Sequence, residues 1–177
     1  MAGNVYLVGM MGAGKTTLGR ALAQHTGREF VDTDRLLVER TGVPVATIFE
    51  IEGEEGFRKR EAALIAEIAQ RSGCIVATGG GAVLAADNRR LMRESGTVVY
   101  LRARLENLWE RTRHDGTRPL LATADPRATL ATLLEKRDPL YREAAHLVVD
   151  TASQAAATLV NRVAAALHGH ETHRESP

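Results

Sequence analysis

Five short runs rich in apolar and β-branched residues recur along the chain, with longer amphipathic stretches between them. The runs are VYLV at residues 5–8, EFVDTD at 29–34, CIVAT at 74–78, TVVYL at 97–101 and HLVVD at 146–150. Nearly continuous apolar strands separated by helices are typical of a parallel sheet that is covered on both faces. The pattern therefore predicts an α/β fold with a five-stranded parallel sheet flanked by helices.

Apolar residues recur at helical spacing between these runs, and this spacing predicts the intervening helices. The first helix should begin inside the sequence GMMGAGKTT at residues 9–17 and end at about Thr26, with Gly27 as its stop. Further helices are predicted over residues 54–71, 104–112, 126–137 and 153–168.

Two polar segments interrupt the pattern. Residues 113–125, RHDGTRPLLATAD, contain a Gly and a Pro and are long enough to form a mobile lid. Residues 169–177 are predicted to be a flexible tail that follows a single domain over residues 1–168. The histidines at 168, 170 and 173 raise the alternative of metal binding, but a frayed terminal segment is the more common explanation.

Composition and charge narrow the classes of function. The chain has 23 basic and 22 acidic residues, a balance that does not favour general binding to nucleic acid or membrane surfaces. No run approaches the roughly 18 apolar residues of a membrane helix, and the apolar start lacks a basic leader, so we expect a cytoplasmic protein. The single cysteine, Cys74, lies in a strand pattern and is expected to be an inert core thiol.

The segment GMMGAGKT at residues 9–16 satisfies the pattern G-x-x-x-x-G-K-[ST] between a predicted strand and a predicted helix. Glycines let consecutive backbone N–H groups converge on phosphate oxygens, and the start of a helix adds a favourable dipole. Lys15 would contact the β and γ phosphates, and Thr16 would ligate Mg²⁺. The alternative is an ordinary turn that needs glycine. The predicted nucleotide-binding residues here are Gly12, Ala13, Gly14, Lys15, Thr16 and Thr17.

The remainder of the sequence favours a small phosphotransferase. It has no Asn-Lys-x-Asp run to recognise guanine, and it is short for a motor ATPase. Candidate acceptor groups follow the predicted strands, because ligands bind beyond the carboxyl ends of a parallel sheet. They are Asp32 and Asp34, which point the same way if the segment is extended, TGGG at residues 78–81, and the arginines Arg58, Arg118 and Arg137.

Each acceptor group also has a structural explanation. Asp34 is a plausible cap for the helix DRLLVER, and Arg58 can pair with Glu54 or Glu61 on its own helix. Arg137, placed at the end of its predicted helix, can complement the helix dipole. Three consecutive glycines are harder to explain in this way, because such a run usually marks the close approach of a ligand or backbone.

The segments GMMGAGKTT, DTD, GEEGFRKRE, TGGG, RPLL and KRDPLY, in this order, resemble the shikimate kinase family over about residues 4–150. The resemblance implies a P-loop fold of the nucleoside-monophosphate-kinase type with a lid, in a cytoplasmic monomer. The implied reaction transfers the γ-phosphoryl group of ATP to the 3-hydroxyl of shikimate, on the route to chorismate and the aromatic amino acids. A gluconate-type kinase and an inactive nucleotide-binding regulator are the alternatives.

The resemblance also assigns residues. Asp34, Arg58, Gly80 and Arg137 stand at shikimate-binding positions, and Gly79 and Gly81 join them through the glycine run. Arg118 stands at a lid position that contacts ATP phosphates, Arg111 at one that stacks on adenine, and Gln154 in the adenine-side loop. Thr16 ligates Mg²⁺, and Asp32 reaches it through water. Lys15, Asp34 and Arg118 are the implied catalytic residues, with Asp34 a candidate proton acceptor.

Overall fold

A computed structural model of the chain describes residues 3–151 and 155–174, with side chains as far as residue 170. Its five strands form one sheet in the order β2-β3-β1-β4-β5, and every neighbouring pair is parallel. The predicted five-stranded parallel sheet is therefore confirmed. The strands are β1 (Asn4–Val8), β2 (Glu29–Asp32), β3 (Cys74–Ala77), β4 (Gly96–Arg102) and β5 (Leu147–Asp150).

Helices cover both faces of the sheet. They are α1 (Lys15–Thr26), α2 (Thr33–Thr41), α3 (Val45–Ile68), α4 (Ala86–Ser95), α5 (Leu105–Thr112), α6 (Pro126–Ala144) and α7 (Ala156–Arg174), with a 3-10 turn at Pro119–Leu121. Helix α1 packs against β3 and α7, whereas α4 packs against β4, α3 and α6. None of the helices in the described ranges is long and apolar enough to cross a membrane.

The central strand β1 explains where the candidate site lies. All five of its residues are buried, and Val5 pairs with both Ile75 of β3 and Thr97 of β4. Because the strands are parallel, β1, β2 and β3 end at the same edge of the sheet. The segments GMMGAGKTT, DTD and TGGG follow these three ends directly.

The segment DTD differs from the prediction. Strand β2 ends at Asp32, whose carboxylate accepts a hydrogen bond from the Arg35 N–H at 3.1 Å and caps α2. The expected extended chain through Asp34 is therefore wrong. Asp34 lies in the first turn of α2, and its neighbour Asp32, not Asp34 itself, provides the cap.

Several helix boundaries also differ. Helix α3 begins at Val45 and is divided by a break at Gly53, whose φ of 68° suits glycine. Its second segment begins at about residue 54, as predicted, and its first segment was not predicted. Helix α6 continues past Pro139 to Ala144, so the prediction that Arg137 ends this helix is wrong. Helix α7 spans Ala156–Arg174, so it continues past the predicted end at residue 168, whereas the predicted start at residue 153 lies outside the described residues. Helix α4 was not predicted, because its sequence ADNRRLMRES is mostly polar.

Candidate active site

The loop between β1 and α1 is shaped by glycines. Gly12 and Gly14 have φ angles of 80° and 96°, in the region that L side chains rarely adopt. Gly14 is the N-cap of α1, so the loop leads directly into the amino end of that helix. The predicted phosphate cradle therefore has the expected local structure, a strand followed by a curled loop and a helix start.

Two side chains at the start of α1 point into the candidate site. The buried Lys15 ammonium donates to the carbonyl oxygens of Gly9 at 2.7 Å and Met10 at 2.9 Å. Burial lowers the pKa of Lys15 to about 8, and the neighbouring Asp34 carboxylate partly opposes this shift. The hydroxyl of Thr16 donates to Asp32 Oδ2 at 2.7 Å, which places two hard oxygen atoms side by side.

Two cavities adjoin at this edge of the sheet. The smaller, of about 210 Å³, is bordered by the glycine-rich loop; we call it the donor cavity. The larger, of about 570 Å³, lies between α2, α3, α6 and residues 116–120; we call it the acceptor cavity. Both are lined by Met11, Asp34, Gly80 and Arg118. A group bound in one cavity therefore borders a group bound in the other.

The acceptor cavity contains both signs of charge. Four buried polar atoms in its lining have no hydrogen-bond partner among the described residues: Asp34 Oδ1, Glu61 Oε2, Arg58 Nε and Arg137 Nη1. Buried polar groups are normally paired, so this set indicates a ligand that both accepts and donates hydrogen bonds. A small carboxylate bearing hydroxyl groups has this character.

The carboxylates of this set are perturbed. Burial raises the pKa of both Asp34 and Glu61, and for Glu61 the Arg58 guanidinium partly opposes the shift. Arg58 donates to Glu61 Oε1 at 2.9 Å and to Glu54 Oε1 at 3.3 Å. The predicted pairing of Arg58 with its helix neighbours is therefore present, but it does not leave Arg58 at the surface, because Arg58 also lines the cavity.

The glycines at residues 79–81 are explained by close contacts. We call this segment the glycine turn. A Cβ added to Gly81 would lie 2.3 Å from Arg58 Nη2, and one added to Gly79 would lie 2.7 Å from Glu61 Oε2. A Cβ on Gly80 would lie 3.4 Å from Arg137 Nη1. Larger residues at positions 79 and 81 would collide with charged groups of the acceptor cavity, and position 80 leaves little room, which agrees with the close approach expected from the sequence.

The predicted lid carries Arg118, which lines both cavities. In this structure Arg118 Nε donates to Asp115 Oδ2 at 2.9 Å within the same segment. Arg111 Nη1 donates to the carbonyl oxygen of Gly12 at 2.9 Å, so α5 is tied to the glycine-rich loop. The predicted contact of Gln154 with adenine lies outside the described residues.

The structure thus brings together Lys15, Thr16, Asp32, Asp34, Arg58, Arg118 and Arg137 with the glycine turn. Sequence reasoning named Glu61 only as a possible partner of Arg58, and it did not identify Thr33 or Tyr141, whose side chains hold the turn. Two signals were available. Glu61 lies three residues after Arg58, and Tyr141 lies four residues after Arg137, spacings that place side chains on the same face of a helix.

Comparison with known proteins gives a consistent picture. A family model described as Shikimate kinase matches residues 11–168. The Shikimate kinase of Bordetella avium is 58% identical over 167 residues, which cover 94% of this chain and 80% of that protein.

Two solved structures show how far the likeness extends. The shikimate kinase of Acinetobacter baumannii in complex with shikimate has a TM-score of 0.93 and 45% identity, covering 96% of this chain and 95% of that one. A gluconokinase from Sinorhizobium meliloti, at 22% identity and a TM-score of 0.62 over 99% of this chain and 98% of its own, shares the fold alone. From the family match and these identities, the chain belongs to the shikimate kinase family.

Proposed function

We propose that this protein transfers the γ-phosphoryl group of ATP to the 3-hydroxyl of shikimate. The observation that carries the proposal is the junction of the two cavities, which share Asp34, Gly80 and Arg118 beside the glycine-rich loop. A phosphate held by the loop and a hydroxyl held in the acceptor cavity would be neighbours there. In-line positioning of this kind is the main requirement of phosphoryl transfer.

The acceptor cavity suits shikimate, a small carboxylate bearing hydroxyl groups. Arg58 and Arg137 come from different helices, and each presents a guanidinium nitrogen that has no hydrogen-bond partner among the described residues, so together they can hold a carboxylate. Asp34 Oδ1 can accept hydrogen bonds from hydroxyls. Fixing the carboxylate at one end and the hydroxyls at the other determines which hydroxyl faces the donor cavity.

The donor side supplies positive charge to the phosphoryl group. The transition state of phosphoryl transfer is loose, so charge around the equatorial oxygens matters more than covalent chemistry. Lys15 and Arg118 both border the donor cavity; two carbonyl oxygens hold Lys15 and the Asp115 carboxylate holds Arg118, and phosphate oxygens can replace them. Asp34 lies where the two cavities meet and is the candidate acceptor for the hydroxyl proton.

Magnesium is the expected metal. Thr16 Oγ1 and Asp32 Oδ2 lie 2.7 Å apart in the donor cavity, and Mg²⁺ prefers such hard oxygen ligands together with phosphates and water. The two residues fit the ion, with Thr16 as the direct ligand and Asp32 as a partner of its water. When bound, Mg²⁺ would neutralise charge on the phosphates.

A coupled assay of ADP release with purified protein, shikimate, ATP and Mg²⁺ tests the proposal. We expect turnover that depends on shikimate and falls on chelation of Mg²⁺, whereas gluconate in the same assay should give none. Turnover with gluconate would favour a different sugar-acid kinase, and nucleotide binding without turnover would indicate an inactive regulator. The cytoplasmic location and the monomeric state stay predictions. Analytical sedimentation of the purified protein can test the monomeric state.

A further inference from the structure

The glycine turn is held by two side-chain hydroxyls that approach it from different helices. Thr33, the buried first residue of α2, accepts a hydrogen bond at Oγ1 from the Gly79 N–H at 3.0 Å. Tyr141, a fully buried residue of α6, donates its hydroxyl to the Gly80 carbonyl oxygen at 2.5 Å. The peptide groups between Thr78 and Gly79 and between Gly80 and Gly81 are therefore each held by a side chain.

Each hydroxyl is linked to a functional segment. Thr33 lies between Asp32 and Asp34, so the junction of β2 and α2 that carries these carboxylates also supports the turn. Tyr141 lies one helical turn after Arg137, and Met10 Sδ of the glycine-rich loop lies 3.5 Å from its hydroxyl. Tyr141 thus links the turn to the glycine-rich loop and to the helix that carries Arg137. Thr33 links the turn to the segment that carries Asp32 and Asp34.

The orientation of Gly80 matters because of its neighbour Arg137. Arg137 Nη1 has no hydrogen-bond partner in the described part of the chain, and it lies 3.4 Å from the position of a Cβ on Gly80. A Gly80 carbonyl without its tyrosine donor would be a partly buried, unpaired acceptor near this guanidinium donor. Rotation of the peptide towards Arg137 would then occupy the guanidinium nitrogen that a carboxylate ligand needs.

We propose that the hydroxyls of Thr33 and Tyr141 are positioning groups, which hold the glycine turn so that Arg137 stays available to the carboxylate of the acceptor. This inference rests on the proposed function, since it concerns the binding of shikimate. Burial raises the pKa of Tyr141 to about 12, so the hydroxyl remains a donor throughout the neutral range. The two residues act through the turn and do not themselves touch the reacting atoms.

The test is steady-state kinetics of Tyr141→Phe, with Tyr100→Phe as the matched control. Tyr100 is also buried and stacks on Tyr141 with ring centroids 4.9 Å apart, but its hydroxyl donates to Asp138 and not to the turn. For Tyr141→Phe we expect the KM for shikimate to rise about tenfold, with the KM for ATP and kcat each within about twofold. Tyr100→Phe should leave both KM values unchanged.

Thr33→Val provides a second, independent variant, because it removes the other hydroxyl with little change in shape. It should raise the KM for shikimate in the same selective way, even if Tyr141→Phe does not fold. A loss of thermal stability with an unchanged KM for shikimate would overturn the inference, as would equal rises in KM for both substrates. No shikimate-dependent turnover by the unsubstituted protein would instead refute the proposed function, and the inference with it.

Discussion

Glu61 accepts a hydrogen bond from Arg58 at 2.9 Å, and the Glu61 side chain is only 1% exposed. The second partner of Arg58, Glu54, lies at 3.3 Å and is 51% exposed. A buried charged partner restricts the guanidinium far more than a solvated one, whose interaction is weakened by water. Glu61 is therefore the residue that orients Arg58 in the acceptor cavity.

Glu61→Gln should weaken the binding of shikimate, because Arg58 loses the charged partner that fixes its direction. We expect the KM for shikimate to rise about tenfold while the KM for ATP stays within about twofold. Glu54→Gln is the matched control, since it alters the exposed partner of the same arginine, and it should change the KM for shikimate less than about twofold. Equal effects of the two changes would contradict the orienting role of Glu61.

Asp34→Asn should stabilise the ligand-free protein and abolish its activity. Burial raises the pKa of Asp34 and Glu61 above the ordinary carboxyl value of about 4. At pH values above about 4, the folded protein therefore binds more protons than the unfolded chain. The free energy of unfolding should therefore fall as the pH rises through the raised pKa values. The side chain introduced by Asp34→Asn is neutral at every pH, so the free energy of unfolding of this variant falls less as the pH rises. We expect it to exceed that of the unsubstituted protein by about 1 kcal/mol at pH 7 and to equal it near pH 4.

Denaturant unfolding at several pH values measures this gain. Asp87→Asn is a suitable control, because that carboxylate is 87% exposed and its removal should change the stability little at any pH. A stability of Asp34→Asn equal to or below that of the unsubstituted protein at pH 7 would show that the buried carboxylate is compensated by its arginine neighbours.

Binding of ADP should be accompanied by proton uptake at Lys15. With a pKa of about 8, roughly half of the Lys15 side chains are neutral at pH 8 in the ligand-free protein. Phosphate near the amine favours the charged form, so binding at this pH should take up about half a proton. Calorimetry in two buffers with different enthalpies of ionisation measures the uptake directly.

Lys15→Arg separates this uptake from other proton exchange, because arginine stays charged at every accessible pH. The variant should bind ADP with the same heat in both buffers. Identical heats for the unsubstituted protein would mean that Lys15 is already fully charged on its carbonyl partners Gly9 and Met10.

Hydrogen exchange should show closure of residues 113–125 on ligand binding. Among the residues that the structure describes, Arg118 pairs with Asp115 of the same segment, through side chains that are 38% and 30% exposed, so phosphate can compete for it. We expect slower exchange of these amides when shikimate and a non-hydrolysable ATP analogue are both present. The exchange rates of amides in α4, which lines neither cavity, should not change. Unchanged exchange of residues 113–125 would contradict the prediction and indicate that Arg118 stays on Asp115.

The sequence predicted the sheet and the phosphate loop well, because both depend on local patterns. The apolar strands, the glycines of the loop and the stop at Gly27 each specify their structure within a few residues. Prediction of the helix ends was weaker. Helix α6 continues past its predicted end at Arg137 and contains Pro139, and Tyr141 and Ala144 in its last turns are buried in the core.

The hydrogen bonds that hold the glycine turn were the feature of the site that was hardest to predict from the sequence. The bond between Thr33 and Gly79 and the bond between Tyr141 and Gly80 join residues 46 and 61 positions apart. No periodicity encodes such contacts, because they depend on how the strand ends meet in space. The glycine run indicated that something comes close, but not that the neighbours are Arg58, Glu61 and Arg137.

Gly81→Ala should impair shikimate binding without preventing folding. The added Cβ would lie 2.3 Å from Arg58 Nη2, so the guanidinium has to move against its hydrogen bond to the buried Glu61, and we expect a loss of stability of about 1–3 kcal/mol. We expect the KM for shikimate to rise at least about tenfold, whereas the KM for ATP changes little because the glycine-rich loop is untouched. Gly169→Ala, where a Cβ meets nothing within 4 Å, is the control for an added methyl group. Unchanged shikimate kinetics in Gly81→Ala would show that Arg58 can leave its position without loss, which would remove it from the proposed carboxylate site.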